Sequence, residues 1–124
     1  MADFEIITKK GERMIVLYPG CPAEQAAKLR GHYKIALVPE ALSETGPWAL
    51  TAGSFISYGP GRRNHISVSS ISADKIMAAV ERELPVLGGG VIERQEVELG
   101  NAGDAAPEQL LASLGRDLLS GALS

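Results

Sequence analysis

Two short apolar segments constrain this chain more than any other feature: Arg13-Met14-Ile15-Val16-Leu17-Tyr18 and Tyr33-Lys34-Ile35-Ala36-Leu37-Val38, each bounded by glycine or proline. A strand with one wet face alternates apolar and polar residues, whereas a strand apolar at consecutive positions is covered on both faces. Both segments are therefore expected to be buried strands. Between them, Pro22-Ala23-Glu24-Gln25-Ala26-Ala27-Lys28-Leu29-Arg30 is rich in helix formers, opens on proline and is closed by Gly31. Proline at the first position and glycine after the last are helix boundaries, so the chain should begin β-α-β.

Residues 39–47 hold two prolines, a glycine and short polar side chains, and suit a loop. Residues 48–58 and 65–70 have strand character, with alternation at Ile66-Ser67-Val68-Ser69, and predict a hairpin closed by Gly59-Pro60-Gly61-Arg62-Arg63-Asn64. Ile76, Val80 and Leu84 recur every four residues, Ser70 or Ser72 could cap, and Pro85 could terminate, which predicts a helix over 73–84. Gly88-Gly89-Gly90 would then connect that helix to an edge strand over 91–99. Its charged side, Arg94, Glu96 and Glu98, would guard it against pairing.

Asn101-Ala102-Gly103 breaks the pattern and suggests a hinge before a last helix from about 104 to 119. Leu110, Leu114 and Leu118 would form its apolar stripe, with Leu111 widening it. Gly115 is an oddity there, since mid-helix glycine costs about 1 kcal/mol relative to alanine.

The element order β-α-β-β-β-α-β-α predicts an α+β fold. We expect a small two-layer sandwich of ferredoxin-like β-α-β-β-α-β order, with one added strand and a C-terminal helix. Residues 1–100 would be a single domain, and 101–124 a helical extension packing on it or on another subunit.

With 124 residues, 45% hydrophobic and 22% charged, the chain has the composition of an ordinary globular domain. No apolar run approaches the ~20 residues a transmembrane helix needs, and no basic-then-apolar leader opens the chain, so we expect a cytoplasmic protein with no membrane association. A formal charge of −3 disfavours nucleic acid as a partner. One cysteine and two distant histidines give no metal-ligand spacing, and no motif names a cofactor.

Chemistry has few places to reside. Cys21 precedes the first helix, where free N–H groups and the helix dipole would favour a thiolate; the plainer role is a small buried turn residue. His32 is excluded as its base, because nine helical residues put about 14 Å between them. His65 is the remaining imidazole, making Cys21 and His65 the candidate catalytic pair. In the 59–65 loop, Arg62, Arg63 and Asn64, with Tyr58 beside them, are the candidate ligand-binding residues for a small anionic ligand or a partner protein. Adjacent arginines at a turn are also commonly just solvated. Glu96 and Glu98 project from one face but lack the burial that acid-base work needs.

No complete catalytic constellation emerges. The expected function is a small non-catalytic binding or assembly module, a homo-oligomer, working through the 59–65 loop and the C-terminal helix. The alternative is a thiol-dependent enzyme or redox protein using Cys21 on an anionic substrate.

Overall fold

The structure, a computed structural model, describes residues 3–44, 48–99 and 106–122. Its strands are β1 (Phe4–Lys9), β2 (Glu12–Leu17), β3 (His32–Pro39), β4 (Thr51–Gly59), β5 (Ile66–Ile71), β6 (Ile76–Val80), β7 (Leu84–Pro85), β8 (Val91–Ile92) and β9 (Gln95–Glu98). The helices are α1 (Ala23–Lys28), α2 (Glu40–Ser43) and α3 (Pro107–Leu119). Seven strands form one mixed sheet in the order β1-β2-β3-β4-β5-β6-β9, and β7-β8 is a separate ribbon. Among the described residues no helix is long and apolar enough to cross a membrane.

The two apolar segments become β2 and β3, paired in parallel at the middle of the left half of that sheet. Their consecutive apolar residues serve opposite faces. Met14, Val16, Ile35 and Leu37 join Ile56, Tyr58 and Ile66 beneath Leu111, Ala112, Leu114, Leu118 and Leu119 of α3. Ile15, Leu17, Ala36 and Val38 face the other way, onto Cys21 and Ala26 at α1, Leu42 of α2 and Leu50. Helices thus cover this region on both sides, which a two-layer sandwich does not allow.

The ferredoxin-like order is overturned at three further points. The first is β1, a strand not anticipated, which pairs antiparallel with β2. Lys10 and Gly11 between them have φ of 52° and 80°, the doubly positive backbone of a two-residue type I′ turn.

The second is residues 73–84, expected as a helix and found as β6 and the start of the β7-β8 ribbon. Apolar residues four apart repeat on a strand as well as on a helix, because four is a multiple of two. Ser72 caps no helix; its backbone N–H donates to the Lys75 carbonyl at 2.9 Å and its hydroxyl accepts from the Lys75 N–H at 3.3 Å. These bonds close the β5-β6 hairpin. The glycine triplet consequently links two strands, with φ of 89°, 117° and 92°. The strand expected over 91–99 is split into β8 and β9; β9 is the charged sheet edge, while Val91 is 59% exposed rather than packed.

The third is the expected 48–70 hairpin. β4 and β5 run parallel and meet only at Tyr58↔Ile66 and Gly59↔Ser67. Instead of returning the chain antiparallel, residues 60–65 step it sideways, so that β5 continues where β4 ends. Residues 40–43 of the expected loop are the short α2, while 45–47 lie outside the described residues, as do 101–103 and Asp104.

The halves of this stepped sheet are spanned by α3, which packs on β2, β3, β4 and β5. Pro107 occupies its first turn, as expected. Tyr58, fully buried at the step, donates its hydroxyl to the Leu17 carbonyl at the end of β2, 2.6 Å away. Replacing Tyr58 by Phe leaves that buried acceptor unpaired and should cost about 1–2 kcal/mol in chemical denaturation.

Candidate functional site

The 59–65 loop is a braced structure. Glu40, at the start of α2, accepts from the Gly61 N–H at 3.0 Å and from Asn64 Nδ2 at 2.6 Å, and Asn64 Nδ2 also donates to the Gly61 carbonyl at 2.8 Å. A Cβ at Gly61 would run into the Glu40 carboxylate, which accounts for the glycine. Asn64 is 3% exposed and directed inward, and the Tyr58 hydroxyl is bonded to Leu17. Both are thus placed as parts of the scaffold. Arg62 and Arg63 are exposed and, among the described residues, make no hydrogen bond or ion pair.

Cys21 lies at the turn between β2 and α1, 6% exposed, its N–H donating to the Tyr18 carbonyl at 3.0 Å. Burial, and then the nearby Asp3 carboxylate, push its thiol above the usual range. That is the opposite of the activation a nucleophile needs. α1 has six residues, so it offers little dipole to offset burial.

His65 is joined to Cys21 by no hydrogen bond or electrostatic interaction among the described residues. Its Nδ1 accepts from the Ser57 N–H at 3.2 Å and lies 3.3 Å from Ser57 Oγ. Since the backbone N–H can only donate, Nδ1 is unprotonated and Nε2 carries the ring proton. The imidazole thereby ties the start of β5 to the free side of β4.

Burial, assisted by Arg82, holds His65 below the ordinary histidine range. The unfolded chain then takes up a proton at a pH where the folded chain does not, and stability rises with pH across that interval. The stabilisation is complete above the unfolded value near 6.5 and is lost as pH falls toward the folded one. Thermal melts from pH 7.5 to 5 should show this decline, and His65→Gln should flatten it.

A cleft of about 550 Å³ lies elsewhere, between β1, the Tyr18-Pro19-Gly20 turn and the polar face of α3. Gln109, Ser113 and Arg116 reach it from successive turns of the helix, opposite the buried leucines. One wall is a bonded cluster. The Tyr18 hydroxyl donates to Glu5 Oε1 at 2.6 Å, and Arg116 Nη1 donates to Tyr18 at 3.3 Å and pairs with Glu5 at 3.7 Å. Arg116 Nε also donates to Asp117 at 3.2 Å. Burial and the bond to Glu5 raise the Tyr18 phenol above its usual range, so it remains a neutral donor.

Sequence reasoning missed this cleft. Glu5, Tyr18 and Arg116 come from distant positions and form no motif, although the 109-113-116 spacing opposite the leucines was a readable sign of a polar helix face. No group of three metal-ligating side chains converges among the described residues. Comparison with protein-family models, with curated proteins and with solved structures produced no match.

Proposed function

We infer that the protein is a small non-catalytic binding module whose site is the cleft between β1 and the polar face of α3. One observation carries this: apolar surface from Tyr18 and Pro19 converges with three side chains, Asp3, Gln109 and Ser113, that make no side-chain hydrogen bond or ion pair among the described residues. A concavity of this size with a few unsatisfied polar groups is how small-molecule sites are built. The C-terminal helix thus serves binding through its polar face.

The braced 59–65 loop is a second contact. Arg62 and Arg63 stand unpaired on rigid backbone, suited to an anionic ligand or an acidic partner surface. If copies of the chain associate as a homo-oligomer, the surface for it lies at exposed apolar residues such as Phe55, beside Trp48, and Ile71. Leu111, Leu114, Leu118 and Leu119 of α3 are occupied by their own sheet, whereas Leu110, expected in the same stripe, is only half-buried and outside that core. The net charge of −3 weighs against nucleic acid, and an unpaired cysteine suits a reducing compartment such as the cytoplasm. The thiol-dependent alternative draws no support from a buried Cys21 with a raised pKa.

NMR screening with small organic fragments tests the cleft. Hits should move the amides of Gly20, Gln109 and Ser113, and Ser113→Trp, which fills the cleft, should weaken them at least tenfold. Hits that cluster elsewhere, or that bind the variant unchanged, contradict the assignment.

A further inference from the structure

The balance of charge in the cleft specifies what it takes up. Among the described residues Arg116 is the only basic side chain lining it, and Glu5 and Asp117 already neutralise it at 3.7 and 3.2 Å. Asp3 uses its backbone carbonyl to accept the Tyr18 N–H at 2.9 Å, and among the described residues its carboxylate makes no hydrogen bond or ion pair. Among the described residues the lining therefore carries one carboxylate with no cation paired to it.

Two further features suit a positive ligand. Tyr18 brings aromatic surface to the same cleft, and ring faces attract ammonium and guanidinium groups. Gln109 and Ser113 contribute an amide oxygen and a hydroxyl able to accept hydrogen bonds from such a head group. An anion would instead face Asp3 and Glu5, with an arginine whose charge is already shared between two carboxylates.

We propose that the cleft binds a small organic cation, an amine or guanidine on an apolar body, with Asp3 pairing the charge and Tyr18 and Pro19 covering the body. The proposal rests on the cleft being the binding site. The bound ligand needs no covalent step, and its head group displaces only water from Asp3.

Three probes of one shape separate the outcomes: phenethylammonium, neutral 2-phenylethanol and anionic 3-phenylpropionate, titrated at pH 7 while amide shifts are followed. The expected result is shifts at Gly20, Gln109 and Ser113, with the ammonium bound at least tenfold more tightly than the alcohol and the carboxylate weakest. Asp3→Asn should erase the advantage of the ammonium and leave the alcohol unchanged; Asp3→Ser should do the same. Equal binding of all three at the cleft, or preference for the carboxylate, overturns the cation assignment while the cleft stands. Absence of cleft shifts with any probe at millimolar concentration overturns both.

Discussion

The contact on which this molecule depends is the laying of α3 across the step between β4 and β5. Two ladder pairs and the His65–Ser57 bond join the strands there, too few to hold a sheet together by hydrogen bonding alone. The apolar face of α3 supplies the missing cohesion, burying its leucines against side chains from both halves at once. The approach is close at Gly115, where a Cβ would lie 2.9 Å from Leu37 Cδ2 and 3.2 Å from Ile66 Cδ1. Leu37 belongs to β3 and Ile66 to β5, so the glycine marks where the helix seats on both halves.

The site follows from that seating. A helix committed to the core along one stripe presents its opposite face elsewhere, and the sheet's β1 end rises beside it to make the cleft. Tyr18, Glu5 and Arg116 fasten this wall by bonds between β1, the end of β2 and α3. Glu40 does the corresponding work at the step, where its carboxylate holds Gly61 and Asn64 and fixes the direction in which the chain re-enters the sheet. The proposed site and the fold thus share the same two devices: a helix used as a splint, and carboxylates used as tethers.

What could be read from the residues was what local patterning determines. β2, α1, β3 and α3 were legible because apolar runs, helix formers and flanking proline and glycine all agree. The 73–84 segment was not, because Ile76, Val80 and Leu84 satisfy both periods. The direction of β5 was hidden for another reason: Gly59 to Asn64 has the composition of any tight connection, and the group that orients it, Glu40, is 21 residues before Gly61. Of the expected site residues, Arg62 and Arg63 are available at the surface, whereas Tyr58 and Asn64 hold the scaffold, and Cys21 and His65 stand apart. The cleft depends on long-range placement and left only the polar spacing on α3 as a trace.

Gly115 also resolves an apparent contradiction between local preference and the fold. A glycine inside a helix is unfavourable by about 1 kcal/mol relative to alanine, yet overfilling a packed core commonly costs about 1–3 kcal/mol. The most direct measurement is the unfolding free energy of Gly115→Ala by urea denaturation. If α3 is seated on both halves as described, the alanine should be less stable than wild type by about 1 kcal/mol, despite its better helix propensity. A variant equally stable or more stable would contradict the close seating of α3 across the step.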